Sequence, residues 1–129
     1  MTTRHAAVWI DHSDAKIFHI DGENFDPTVV HPHHHVRRHS SVTAERAHPA
    51  DAAHFFHEVA VALADAEEIL VVGPGSAKLE LIKHVHHHDH ALEPKIVGVE
   101  TVDHPTDGQL VAFIRHYFHA KDRMLGIVP

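Results

Sequence analysis

Ile69-Leu70-Val71-Val72-Gly73-Pro74-Gly75-Ser76-Ala77-Lys78 is the stretch that decides how this chain folds. Four consecutive aliphatic residues leave no polar face, so they read as a strand covered on both sides, as at the centre of a parallel sheet. Gly73-Pro74-Gly75 turns the backbone sharply. Ser76 then suits the N-cap of a helix that begins near Ala77 and carries Leu79, Ile82 and Val85 on one face. Strand, glycine turn and helix start make half of a βαβ unit. The free N–H groups of such a helix start, with Lys78 alongside, can cradle an anion. The stretch matches neither Gly-x-x-x-x-Gly-Lys-Ser/Thr nor Gly-x-Gly-x-x-Gly, so a tight strand-to-helix connection is the plainer reading.

Upstream, Ala6-Ala7-Val8-Trp9-Ile10 reads as a strand and Asp11-His12-Ser13-Asp14 as a polar turn. Ala15-Lys16-Ile17-Phe18-His19-Ile20 is a second strand, followed by the hairpin-type turn Asp21-Gly22-Glu23-Asn24. Residues 25–31 supply a third strand, irregular at Pro27, and short turns between strands imply an antiparallel meander. Residues 32–48 show no sustained period, and a loop this long is usually functional or disordered. Over residues 49–66 the period becomes helical, with Phe56, Val59, Ala60 and Leu63 as the apolar stripe.

Downstream, the organising helix ends in Val85-His86-His87-His88-Asp89-His90, and Pro94 blocks its continuation. Lys95-Ile96-Val97-Gly98-Val99-Glu100-Thr101-Val102 is the fifth strand and His104-Pro105-Thr106-Asp107-Gly108 a turn. The last helix, residues 109–120, packs through Leu110, Phe113, Ile114 and Tyr117. The apolar residues of the tail, Met124, Leu125, Ile127 and Val128, suit docking on the surface or on a second copy, which admits a homo-oligomer. The order βββαβαβα predicts an α/β domain with a mixed five-stranded sheet covered by helices, the succession of ribonuclease-H-like domains.

With 129 residues the chain is expected to be a single domain. Lys plus Arg number 11 against 18 Asp plus Glu, which argues against broad non-specific nucleic-acid binding but leaves room for one local basic loop. There is no cysteine, so disulfides, zinc ribbons and thiol nucleophiles are excluded. The first residues run into a strand rather than a secretory leader, and no apolar stretch approaches membrane-span length. A cytoplasmic protein with no membrane partner is expected. The 19 histidines would swing the net charge over about two pH units around ~6.5.

Two-metal hydrolysis needs converging carboxylates. Asp11 and Glu58 stand at plausible places, with Glu100 or Asp103 as a third, but the end of the fourth strand offers only Gly73-Pro74-Gly75, and Asp11 is more simply a turn residue. No serine lies in a Gly-x-Ser-x-Gly elbow, so no triad can be assembled. Imidazole suits Zn²⁺, Ni²⁺ or Cu²⁺. One histidine cluster holds His33, His34, His35 and His39; another holds His84, His86, His87, His88 and His90, in which His84 and His88 have the i, i+4 spacing that lets two rings converge. His33, His35, His84 and His88 are the candidate ligands for zinc or nickel, with no cofactor required. His54, His57 and Glu58 do not match His-Glu-x-x-His. Residues 31–48 hold three arginines, Arg37, Arg38 and Arg46, against one glutamate, which suits contact with an RNA phosphate path.

The stretch 69–78 resembles the Gly-Pro-Gly-x-x-Lys segment in the central domain of archaeal and eukaryotic class 1 peptide-chain release factors and of the ribosome-rescue factor Pelota. Val97-Gly98-Val99-Glu100-Thr101-Val102-Asp103, with a turn in which Gly108 opens a helix, is similar to the next strand and helix of that domain. The likeness covers residues 6–120, and the whole chain resembles the small stand-alone bacterial translational machinery proteins. It implies a ribonuclease-H-like fold and a place in translation. Release factors carry a Gly-Gly-Gln loop between the third strand and the first helix; residues 31–48 here hold neither glycine nor glutamine, so peptide release by that route is not implied. Pelota also lacks the tripeptide and presents a basic loop. Its resemblance points to ribosome or RNA contact through Arg37, Arg38 and Arg46, with Lys78 near the glycine turn.

Three readings result. The first is a non-enzymatic, translation-associated protein that binds ribosome or RNA. The second is a histidine-rich divalent-metal-binding protein, and the third a hydrolase of RNA or peptidyl-tRNA acting through Asp11, Glu58 and Asp103.

Overall fold

The structure, a computed structural model, describes residues 3–20, 27–32 and 49–124. In chain order the elements are β1 (Thr3–Ile10), β2 (Ala15–His19), β3 (Thr28–Val30), α1 (Pro49–Leu63), β4 (Ala66–Gly73), α2 (Ala77–His88), a 3₁₀ helix (His90–Lys95), β5 (Ile96–Thr101) and α3 (Asp107–Met124). The strands form one five-stranded sheet in the order β3-β2-β1-β4-β5. β4 runs parallel to both β1 and β5, while β1, β2 and β3 pair antiparallel, so the sheet is mixed as expected.

The aliphatic run 69–72 sits entirely within β4, and all four of its side chains are buried. Strand pleating sends them alternately to opposite faces. Ile69 and Val71 join Ala6, Val8 and Ile10 of β1 in a core closed by Phe55, Phe56, Val59 and Leu63 of α1 and by Leu81 and Val85 of α2. Leu70 and Val72 join Ala7 and Trp9 in a second core, closed by Leu110, Val111, Ile114 and Phe118 of α3. Each such aliphatic side chain contributes about 1.5–3 kcal/mol by leaving water. Two helices therefore cover one face and one helix covers the other.

Several boundaries and faces differ from the sequence reading. β1 begins at Thr3, and β3 is confined to Thr28–Val30. α1 stops at Leu63, because Ala66 already pairs with Thr3 as the first residue of β4. The 3₁₀ helix, with Pro94 inside it, intervenes before β5 in the order βββαβαβα. α3 is longer than residues 109–120 and reaches Met124.

On α2 the buried stripe is Ala77, Lys78, Leu81 and Val85, and Leu79 is exposed. The 79-82-85 and 77-81-85 stripes share Val85; the second lets the small Ala77 side chain bring the helix close to the sheet, and Ile82 is left at the margin. On α3, Val111 and Phe118 take the buried places and Phe113 lies at the exposed edge. Ser76 occupies the N-cap position of α2, but its hydroxyl donates to Glu80 Oε2 at 3.0 Å and makes no capping bond to a backbone N–H. The hairpin turn 21–24 and the tail beyond Met124 lie outside the described residues.

Gly73 closes β4 where the strand passes the carbonyl of Ile10, and a Cβ there would overlap that backbone oxygen. Gly75, one residue past Pro74, has open space around it. Gly73→Ala is therefore expected to destabilise the fold by roughly 2 kcal/mol or more, whereas Gly75→Ala stays within about 0.5 kcal/mol. Urea unfolding of the two variants beside the parent protein measures this difference.

Candidate functional site

β3 is parallel to β1 because each is antiparallel to β2, so β1, β3, β4 and β5 all end at the same edge of the sheet. Open parallel sheets present ligand-contacting loops at this edge. Turn 11–14, the glycine turn 73–75 and the connection 102–106 meet there. So does the exit from β3 at His31, whose Nδ1 contacts the Asp14 carboxylate. Residues 33–48 connect this edge to α1; His33, His35, Arg37, Arg38 and Arg46 lie with them outside the described residues.

The edge is lined by histidine–carboxylate pairs. Asp11 Oδ1 accepts hydrogen bonds from the backbone N–H groups of Ser13 and Asp14, both at 2.8 Å, which makes it the turn residue its context suggests. Its other oxygen stands 3.7 Å from His104 Nε2, and His104 Nδ1 donates to Asp103 Oδ1 at 2.9 Å. Trp9 anchors this connection: its indole N–H donates to the Asp103 carbonyl at 2.8 Å, and the His104 ring meets it edge-on at 5.1 Å. Lys16 pairs with Asp107 at 2.9 Å and lies 5.9 Å from the Trp9 ring centre. A cleft of about 370 Å³ opens beside His104 and Phe113.

Across the glycine turn, His12 Nε2 donates to Glu80 Oε2 at 3.0 Å. The bond from His12 is the largest cause holding the Glu80 carboxyl below the usual carboxylate range; Ser76 and the His12 charge add to it, and burial opposes it.

Lys78, expected as a cation free to meet an anion, is turned inward instead. It is 7% exposed, and its ammonium donates to the Gly75 carbonyl at 2.6 Å, so it closes the glycine turn from within. The carboxylates of the hydrolase reading do not converge. Asp11 and Asp103 flank His104, whereas Glu58 lies on α1 with His54 3.8 Å away. Among the described residues, the three His, Asp or Glu side chains whose ligand atoms lie within 4.8 Å of one another are His57, His84 and Asp89.

His84 and His88, the expected i, i+4 pair, do stand side by side on α2, with ring centres 4.9 Å apart. Only His84 belongs to the converging set; its side chain is 8% exposed and its Nε2 donates to Asp89 Oδ2 at 2.9 Å. Burial pushes the His84 imidazole below the usual histidine range, with the Asp89 hydrogen bond and charge acting against it. His57 and Asp89 were missed by the sequence reading. His57 belongs to a His-Glu pattern that fits no zinc-protease motif, and Asp89 reads as a residue that merely ends a histidine run. The signal available was Asp89 directly after that run, but its partner on α1 is set by helix packing.

These features define an α/β domain with a mixed sheet, two helices on one face and one on the other. Its fold is similar to solved structures of translation factors. Archaeoglobus fulgidus Pelota matches over 98% of this chain and 39% of its own, at 16% identity and a TM-score of 0.53. The archaeal translation termination factor aRF1 matches over 95% of this chain and 41% of its own, at 14% identity and a TM-score of 0.56. Dom34 of S. cerevisiae, a translation termination-like factor involved in RNA quality control pathways, matches over 95% of this chain and 40% of its own, at 10% identity and a TM-score of 0.51. The chain thus spans about two fifths of the length of these proteins. No protein-family model matches it, and no curated protein matches it in sequence. No helix among the described residues is long and apolar enough to cross a membrane.

A carboxylate whose pKa is lower in the folded chain than in the unfolded one stabilises the fold above its unfolded value, and that stabilisation fades as pH falls through the folded value. Glu80 is expected to titrate below ordinary glutamates, and to move back up in His12→Ala. The carboxyl-carbon chemical shift of Glu80 followed against pH measures both.

Proposed function

We propose that this chain is a non-enzymatic, translation-associated protein that binds the ribosome or RNA through Arg37, Arg38 and Arg46. The observation that supports this reading most is the fold, which is similar to that of Pelota, aRF1 and Dom34 over nearly the whole chain. The charge pattern supports it further: a chain with 18 acidic against 11 basic residues gathers three of its arginines, with one glutamate, between residues 31 and 48. Guanidinium groups bind phosphate oxygens bidentately, which a scattered set of lysines does not reproduce. The histidines at the carboxyl edge of the sheet are partnered by Asp11, Asp14, Asp103 and Glu80. The arginines, which keep their charge at any pH of interest, carry the attraction in this reading.

The sequence holds no Gly-Gly-Gln, so the reading does not include peptide release by that tripeptide. Among the described residues no set of carboxylates converges to replace it. The setting of such a protein is the cytoplasm, where ribosomes are found.

Sucrose-gradient sedimentation of cell lysate tests the proposal. The parent chain is expected to travel with ribosomal particles at low salt, and Arg37→Ala/Arg38→Ala to shift most of it to the top of the gradient. The affinity of the parent chain should also fall steeply with added salt, with a slope reduced by about 0.7–0.9 for each phosphate contact removed. A parent chain that stays at the top at low salt, or a double variant that sediments like the parent, contradicts the proposal.

A further inference from the structure

We propose that His57, His84 and Asp89 form a binding site for a divalent transition-metal cation, Zn²⁺ in the first instance, that clasps α1 to the C-terminal end of α2. The three side chains come from separate places: the middle of α1, the residue just before the last turn of α2, and the residue that caps α2, where the Asp89 N–H donates to the Val85 carbonyl. Sequence spacing relates His84 to Asp89 but says nothing of His57, which the packing of α1 beside α2 brings in. Two imidazoles and one carboxylate make a donor set that zinc accepts, with a fourth position left for water.

The distances suit it. In a tetrahedral site with metal–ligand bonds of about 2.0–2.1 Å, neighbouring ligand atoms stand about 3.3–3.4 Å apart. Asp89 Oδ2 lies 3.4 Å from His57 Nδ1 and 2.9 Å from His84 Nε2, and the ligand atoms of the three residues fall within 4.8 Å of one another. Each imidazole already turns toward Asp89 the nitrogen that would bind the metal. Small rotations of the rings open the hydrogen-bonded trio enough to admit an ion between them.

The surroundings agree. The His84 and Asp89 side chains are 8% and 19% exposed, whereas His57 is 55% exposed, so the site is walled on the α2 side and open to solvent on the α1 side. The Phe56 ring, 5.8 Å from that of His84, forms part of the apolar wall. Such a wall lowers the local dielectric and strengthens the attraction between cation and carboxylate. Among the described residues Asp89 pairs with these two imidazoles and with no lysine or arginine, so its charge is left for a cation to balance. Without a metal the same trio is only a hydrogen-bonded helix contact. The two states differ in what they bind, and the experiment separates them.

The test uses the full chain without an affinity tag, stripped of metal by chelator, and titrates it calorimetrically with ZnCl₂ and in parallel with NiCl₂. One equivalent of zinc is expected to bind more tightly than the rest. His57→Gln and Asp89→Asn should each weaken that equivalent by about tenfold or more. His87→Gln/His90→Gln, which removes two exposed histidines outside the trio, should leave it in place. Cobalt bound at the same equivalent should give the intense visible bands of four-coordinate geometry, and zinc should raise the unfolding temperature of the parent chain but not of the two ligand variants. His57 lies on the solvent side of α1, so His57→Gln reports on binding even where Asp89→Asn weakens the end of α2. Zinc binding by His57→Gln equal to that of the parent overturns the proposal. So does loss of the tight equivalent in His87→Gln/His90→Gln, which would mark adventitious binding by surface histidines.

Discussion

A strand whose side chains are aliphatic on both faces must be covered on both faces, and the rest of this molecule follows from that demand. β4 meets it by lying between β1 and β5, with α1 and α2 over Ile69 and Val71 and with α3 over Leu70 and Val72. The same crowding sets the backbone at its end. Gly73 passes so close to the Ile10 carbonyl that no side chain fits, and its own carbonyl accepts the N–H of Val102 at 3.1 Å, which ties the exit of β4 to the connection after β5. The loops at the sheet edge are thus held by the strands beneath them.

Two chemically different regions grow from this frame. At the carboxyl edge of the sheet, His12, His31 and His104 each meet a carboxylate, and Trp9 holds the Asp103 carbonyl in place. The other region lies on the α1–α2 face, where the packing of the two helices brings His57 to His84 and Asp89. Histidines that look equivalent in sequence therefore separate by surroundings: His86 pairs with Glu93 at the surface, and His84 is buried against Phe56 and Asp89.

Much of the fold was legible. Composition and alternation placed a central strand at 69–72, three antiparallel strands before it and helix–strand alternation after it, because periods of two and of 3.6 residues are local properties of the chain. The antiparallel β1–β2 pair and the Asp11 turn were visible for the same reason: a turn that short leaves the second strand one place to go. Helix faces were less legible. Leu79 and Leu81 offer α2 two overlapping stripes, and only the shape of the sheet surface chose the one carrying Ala77 and Lys78.

Lys78 shows the boundary between the two kinds of information. The sequence by itself determined that a lysine follows a glycine turn at the start of a helix; whether that charge faces solvent or folds back onto the Gly75 carbonyl depends on how the helix is rolled against the sheet. The same holds for Asp89, whose place after a histidine run is local but whose approach to His57 is not. The secondary structure of each segment is set by patterns within a few residues, since helical hydrogen bonding and hydrophobic periodicity are local to the chain. The environment of each polar side chain is set by neighbours tens of residues away, since burial and electrostatics act through space.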